Sequence, residues 1–501
     1  MSLDLPIHLC IIQPGEYVHA LGFLDQARYF RHHLRRLGVS VSIGKNRLRH
    51  DAVNLVFGAH LGFDPALRQR HAVVFVNLEQ LGEGGAQVSP AYLSLLRSSG
   101  VIDYDAANVP AYAHDPSDVP IVPMLFAPYL RQPPAPALPD RPIDLLFFGS
   151  MNERRRAWID VIESLGVGVS VFDGPLYGAE RDAYIRQSKA VFNAHFYDSA
   201  RFEQVRVSHC LSLGTPVISE RSPRSQPAEV FERSVSWVTP ETVARFFTQH
   251  FAQPAFYASA QQQLDHFAQA DPIEAFADLV GFCMGFGREA HRRRDQAPWL
   301  PTCIKLGSAY RPGVLNIDAA ATAQPDVQWD LSQPLALPWR GHSPQVGPVH
   351  VHPGSMSLVA ADAGMTAVQH WPTFLGNVLQ LLKLGGELLL ELPAHLVVEG
   401  QPAAQPGAWR AYTDEFWRSG WFEHRLDLGD IVYLDAQHQV CPPNAAHWVR
   451  VRLTKVDTSP MERTHARVMS SDMGLAHDDA DDLIADDATP AALNVPVAMA
   501  A

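Results

Sequence analysis

Residues 143–165 read IDLLFFGSMNERRRAWIDVIESL: an apolar run closes at Gly149-Ser150, and Asn152 and Glu153 then open a helix that runs to Leu165. A strand that turns at a glycine into a helix begins a βαβ unit. The alternation continues with a strand in VSVFDG (169–174), a helix from Ala179 to Ser188, a strand in AVFNAHF (190–196), a further helix, and TPVISE (215–220). A helix-rich stretch follows over 241–291. Strands that alternate with helices imply a mostly parallel sheet covered on its faces by helices.

Upstream the same grammar repeats. Ile7–Ile12 is an apolar run that breaks at Gln13-Pro14-Gly15, and GFLDQARYFRHHLRRLG then places Leu24, Ala27, Phe30, His33 and Leu34 at helical spacing. VSVSI (39–43), AVNLVFG (52–58) and AVVFVNL (72–78) are β-branched runs, with AYLSLLRSSG a helix beyond them. Between the two units, residues 131–142, RQPPAPALPDRP, hold five prolines in twelve positions and read as a linker. Downstream, TCIKLGS (302–308), VLNIDA (314–319) and SLVAAD (357–362) start a third unit. It continues through a helix near 372–383 and LKLGGELLLELP (382–393). WFEHRLDLGDIVYL and AHWVRVRLTKV finish its sheet as an antiparallel pair.

The reading is therefore of α/β class, with three successive Rossmann-like lobes: 1–130, a linker at 131–142, 143–296, and 302–456. An acidic tail over 457–501 is expected to be mostly disordered, because DDADDLIADD and its Ala-rich end have no apolar period. The chain has 501 residues and a net charge of −13, and the seven Asp of 468–501 carry seven of those charges, leaving about −6 on the lobes. Such a balance offers no broad basic surface for duplex nucleic acid. No apolar run reaches the roughly 20 residues of a membrane helix, and the start lacks a signal-peptide pattern, so a cytoplasmic protein is expected. The five cysteines are far apart and never in CxxC spacing, which argues against a disulfide framework or a zinc site.

The stretch 143–220 resembles the donor-binding lobe of bacterial glycosyltransferases of the two-lobed GT-B architecture. That resemblance implies a nucleotide-sugar donor held by Gly149, Ser150, Asn152 and Arg155 at the first turn. Phe202-Glu203-Gln204 through Leu213-Gly214-Thr215-Pro216-Val217 looks like the family's acidic helix and the turn after it. Many members have a Glu five residues before that glycine, where this chain has His209. The ribose or sugar contact is carried to Glu203, and the phosphate contact to Arg206 on the same helix face. The first lobe would bind an acceptor, and His19, His60 or Glu79 would serve as the base for its hydroxyl; Tyr17 lies in the same loop as His19. The architecture implies no metal.

Residues 302–456 resemble class I methyltransferases that use S-adenosylmethionine. Gly307 matches the turn after the first strand, Asp318 the ribose acid and Asp330 the residue near the adenine. The turn has one glycine where the family has three, and a substrate-facing loop is expected between Pro393 and Tyr412. Aromatic-rich 416–424 reads either as a stacking surface or as core.

Three functions stay open on these residues. The leading one is a sugar transferase fused to a methyltransferase-like lobe, acting on a glycan, protein or small-molecule acceptor. The others are a methyltransferase acting on a glycan and a non-catalytic glycan or nucleotide-binding scaffold.

Overall fold

The structure is a computed structural model that describes residues 5–465 and 468, apart from 16, 173, 175, 294–296, 308, 362–367, 369, 399–400, 406 and 421–422. The chain divides into two compact units, 1–297 with 343–347, and 298–342 with 348–501.

The first unit holds two five-stranded sheets. In the first lobe β1 (Ile7–Ile11), β2 (Val41–Lys45), β3 (Val53–Phe57), β4 (Ala72–Asn77) and β5 (Gly100–Asp103) lie in the order β2-β1-β3-β4-β5, every pair parallel. Every residue of β3 and β4 is buried, as expected of inner strands covered on both faces. Helix α1 (Gly22–Arg36) follows β1 and buries Ala27, Phe30, His33 and Leu34 at the predicted spacing. Helix α2 (Pro90–Arg97) starts on Ser89, whose hydroxyl accepts from the Tyr92 N–H.

The second lobe repeats this plan. Strands β6 (Ile143–Phe148), β7 (Val169–Phe172), β8 (Ser188–Asn193), β9 (Val217–Glu220) and β10 (Ser236–Val238) lie in the order β7-β6-β8-β9-β10, again all parallel. Helices α3 (Glu153–Ser164), α4 (Gly178–Arg186) and α5 (Gln204–Ser212) connect its strands. Helices α6 (Glu229–Ser234), α7 (Val243–Gln249), α8 (Pro254–Phe267) and α9 (Ile273–Arg293) complete the unit. In each lobe the strand order reverses beside the first strand, between β1 and β3 and between β6 and β8. Ligands of open α/β sheets bind at that point, outside the carboxyl ends of the strands.

After the second lobe the chain returns to the first. Phe276, Leu279, Val280 and Cys283 of α9 are buried in one cluster with Ile7, Val53, Leu55 and Phe30. Residues 143–296 thus supply elements to both lobes.

The second unit is built on a seven-stranded sheet. Its strands are β11 (Cys303–Leu306), β12 (Leu315–Asp318), β13 (Val327–Gln328), β16 (Met356–Ala361), β17 (Leu382–Pro393), β20 (His424–Leu434) and β21 (Trp448–Asp457). Their order is β13-β12-β11-β16-β17-β21-β20, parallel as far as β17 and closed by the predicted antiparallel pair. Strands β14 (Trp339–Ser343) and β15 (Gly347–Val351) form a two-stranded sheet, and β18 (Val397–Val398) pairs with β19 (Gln401–Pro402). Helix α10 (Trp371–Leu381) joins β16 to β17, and α11 (Ala408–Gly420) precedes β20. The stretch expected to be a substrate-facing loop is therefore a short hairpin running into a helix. Phe416 and Trp417 on α11 are buried, as core aromatics are. The start of the expected tail is ordered: 460–465 is helical, and Ser459 and Glu462 cap it reciprocally, with the Glu462 N–H donating to Ser459 Oγ at 3.2 Å and the Ser459 N–H to Glu462 Oε2 at 2.7 Å. The expectation of disorder for 469–501 lies outside the described residues.

Candidate functional site

The turn after β6 is made by Gly149, whose φ of 120° is one that residues with a side chain rarely adopt. A Cβ built there would stand 3.0 Å from Arg206 Nη2, so the glycine also lets the guanidinium approach the backbone. Asn152 then caps α3: its Oδ1 accepts from the Arg155 N–H at 2.9 Å and its Nδ2 donates to Phe196 O at 2.9 Å.

Arg155 is almost completely buried. Its Nε donates to Ala194 O at 3.0 Å, its Nη1 to Ser150 O at 2.8 Å and its Nη2 to Glu203 Oε1 at 2.8 Å. Phe147 and Phe196 flank the guanidinium, with ring centroids 5.5 and 5.0 Å away. Burial, and then the neighbouring Arg206, lower its pKa to about 10, which leaves it cationic at neutral pH.

Glu203 stands at the start of α5 but makes no side-chain cap there. Its carboxylate instead receives Arg155, the Phe196 N–H at 3.0 Å and Arg206 Nη1 at 3.0 Å. Burial pushes its pKa up, yet the two guanidinium groups outweigh that and hold it below the usual carboxylate value. Two cations and one anion therefore meet beside Gly149, leaving one net positive charge at the mouth of the β6 turn. Glu203 and Arg206 lie on the same helix face, as their spacing predicted, and there they meet each other.

His209, one turn further along α5, has its Nε2 2.8 Å from Asp182 Oδ1 and 2.8 Å from Arg181 Nη2. Arg181 also donates to Asp182 Oδ1 at 2.7 Å and, across the lobes, to Asp25 Oδ2 at 2.9 Å. His209 thus sits within an ionic cluster that ties α4 and α5 to α1.

Residues of both lobes line one cavity of about 460 Å³. The second lobe contributes Gly149, Ser150, Arg155, Glu203, Arg206, His209, Arg181 and Tyr197. The first lobe contributes Phe23 of α1 and Glu79, Gln80 and Tyr104 from beyond β4 and β5. His60, just beyond β3, is not among the residues lining this cavity but stands behind two that are: its Nε2 is 3.6 Å from Glu79 Oε1, and its ring meets Phe23 edge-on at 5.9 Å and Tyr92 at 5.5 Å. The side chain of His19 lies outside the described residues. Asn152 acts beneath the cavity through its cap. Arg181, Gln80, Tyr104 and Tyr197 were not singled out in the sequence. Arg181 and Asp25 are 156 positions apart, and no local pattern announces their pairing.

In the second unit Gly307, with φ 102°, Asp318 and Asp330 do border one cavity, but it measures about 80 Å³. Asp318 Oδ1 accepts from the Ala320 N–H at 2.7 Å, and Asp330 Oδ1 from the Ser332 N–H at 2.9 Å, so both close local turns. Among the described residues no helix joins β11 to β12. The glycine turn consequently lacks the helix N-terminus that makes such turns anion sites.

Among the described residues no helix is long and apolar enough to cross a membrane, and no group of three or more His, Cys, Asp or Glu could hold a metal ion.

No family model matches the chain. An uncharacterized protein of Acanthamoeba polyphaga mimivirus is 27% identical over 169 residues, which is 31% of this chain and 51% of that protein. The chain spans about half the length of this curated relative. Among solved structures, HepE of Anabaena in complex with UDP and glucose is 13% identical with a TM-score of 0.35, over 55% of this chain and 98% of HepE. AviGT4, a glycosyltransferase involved in avilamycin A biosynthesis, is 14% identical with a TM-score of 0.37, over 56% of this chain and 98% of AviGT4. The DszA carbon methyltransferase is 11% identical with a TM-score of 0.20, over 44% of this chain and 65% of that one.

Proposed function

We propose that the first unit transfers a sugar from a nucleoside-diphosphate donor to an acceptor hydroxyl. The observation that carries this reading is the Arg155–Glu203–Arg206 cluster, with its surplus positive charge beside the Gly149 turn, at the β6/β8 reversal where the sheet geometry favours a ligand. The cavity's roughly 460 Å³ falls within the range of about 300–1,000 Å³ usual for small-molecule sites.

In this mechanism Arg206 and the Ser150 N–H receive the diphosphate, since the Gly149 N–H is committed to Phe172 O at 3.1 Å. Arg155, fully engaged with protein oxygens, holds the turn and Glu203 in place, and Glu203 holds both arginines. Glu203 is thus assigned as an anchor of the cationic site, ahead of the ribose contact that the family resemblance implies. As the sugar–phosphate C–O bond breaks, the charge that develops on the diphosphate meets a fixed guanidinium, which needs no reorganisation at that moment. His60 takes the proton of the acceptor oxygen as the new C–O bond forms, and Glu79 stabilises the resulting imidazolium. The acceptor is of any class that presents a hydroxyl to the first lobe.

The second unit has no catalytic step in this proposal. Among the described residues the cavity at Gly307, Asp318 and Asp330 measures about 80 Å³ and no helix joins β11 to β12, so no methyl transfer is derived from Asp318 and Asp330.

A thermal-shift panel on the full chain tests the reading, because a ligand that binds only the folded state stabilises it by mass action, by about 2.7 kcal/mol at a hundred times its Kd. Nucleoside diphosphates and nucleotide sugars should raise the melting temperature. A response to S-adenosylmethionine alone would overturn the reading.

A further inference from the structure

Helix α1 buries one face in the first lobe and turns another outward, where Arg28, Arg31, His32 and Arg35 recur at i, i+3, i+4 and i+7. That face forms one wall of a concavity of about 830 Å³, whose other wall is the stretch from Tyr129 to Pro133 together with Arg186 of α4. This space is distinct from the donor cavity. The two share only the Asp25–Arg181–Asp182 cluster as a partition: Asp25 and Asp182 face the groove, while Arg181 faces the cavity.

The charge in the groove is not neutralised locally. Asp25 and Asp182 share the single guanidinium of Arg181, at 2.9 and 2.7 Å, and Asp182 also meets His209 at 2.8 Å, so together they leave at most one negative charge to set against the arginines of the groove. Arg186 donates only to the carbonyls of Leu130 at 3.0 Å and Gln132 at 3.3 Å, and Arg35 only to Val41 O at 3.4 Å. Arg28 and Arg31 have no ion-pair partner among the described residues. Five guanidinium groups thus line one concave space in a chain of net charge −13, and of these Arg36 is paired with Asp271 at 2.6 Å. Like charges held this close raise one another's energy, and an anion between them removes that cost. From Arg28 to Arg35 the helix advances about 10 Å at 1.5 Å per residue, which suits two neighbouring phosphate groups and not a duplex. The remaining negative charge of the chain disfavours a long polyanion.

We propose that this groove is a second anion site, which takes a small phosphate ester or diphosphate independently of the donor cavity. Its source is either a soluble phosphorylated metabolite or the headgroup of an anionic lipid.

The test uses inorganic pyrophosphate, titrated calorimetrically into the full chain carrying Arg206→Ala, so that the contribution of the donor cavity is reduced. This variant should bind pyrophosphate, and adding Arg28→Gln and Arg31→Gln should weaken that binding at least tenfold, about 1.4 kcal/mol, with unchanged circular dichroism. If the double substitution compromises folding, Arg31→Gln and Arg35→Gln made singly carry the same test. A parallel arm measures sedimentation with phosphatidylcholine vesicles with and without phosphatidic acid. Arginine-dependent capture by the acidic vesicles assigns the lipid source, and capture of pyrophosphate alone assigns the soluble one. The proposal fails if the Arg206→Ala chain binds neither probe, or if the groove substitutions leave binding unchanged. Because the groove substitutions are read against the Arg206→Ala background, with the donor cavity already weakened in both proteins, loss of the donor-site reading would leave this result intact.

Discussion

Arg155 and Glu203, 48 residues apart, meet at 2.8 Å with side chains only 2% and 14% exposed, joining the helix after β6 to the start of α5. Removing one partner of such a buried pair costs more than the pair contributes, because the other charge stays desolvated. In Glu203→Gln two guanidinium groups lose their shared counter-ion. The expected loss is about 3 kcal/mol in the unfolding transition of the first unit, followed by urea denaturation. A loss below about 1 kcal/mol would place the pair among weak surface contacts.

Gly149→Ala tests the turn itself. At φ 120° an alanine is strained, and its Cβ would press on Arg206 Nη2 from 3.0 Å. The variant should lose on the order of 1–3 kcal/mol of stability and should also weaken diphosphate binding, since the guanidinium must move. Strain without any binding defect would show that Arg206 does not serve the turn.

The base assignment is separable from donor binding. His60→Asn should lower kcat about a hundredfold while the donor Kd stays within about twofold, and Glu79→Gln should act in the same direction with a smaller effect. Equal losses in kcat and in donor affinity would place His60 in the donor site.

Asp103, at the end of β5, gives a pH signature of the fold. Burial raises its pKa from 3.8 to about 6, although the side chains of Asn108, Asn77 and Tyr112 and the Asp105 N–H all donate to it. The folded state holds this proton more tightly than the unfolded chain. Its stabilising contribution is therefore complete below 3.8 and is lost as pH rises through about 6. Measured by chemical denaturation from about pH 4 to about pH 7, the native chain should lose up to about 3 kcal/mol relative to Asp103→Asn, because each tenfold difference in proton affinity between the folded and unfolded states is worth about 1.4 kcal/mol. A pH-independent difference between the two proteins would refute the assignment.

Much of the surroundings of Gly149 was readable because its signals are local. The apolar run ending at Gly149 and the helix start at Asn152 each fit within one turn, so spacing alone places them; spacing also puts Glu203 and Arg206 on one face, without saying that they pair with each other. The bridge from Arg181 to Asp25 and the return of α9 to the first lobe were not readable, because each depends on packing between distant segments. An amphipathic helix declares that it has a buried face but not which sheet receives it. In the second unit the strand pattern was legible, whereas the lack of a helix between Gly307 and Leu315 among the described residues was not, because a single glycine turn says nothing of the element that follows it.

The most direct test of the central claim is calorimetric titration of a nucleoside diphosphate into the full chain, Arg206→Ala and Asp318→Ala. A donor site at Arg206 predicts binding to the native chain, a loss of about 1.5–3 kcal/mol in Arg206→Ala with the fold intact, and unchanged affinity in Asp318→Ala. Tight S-adenosylmethionine binding abolished by Asp318→Ala, with no nucleotide bound by any of the three proteins, would contradict it.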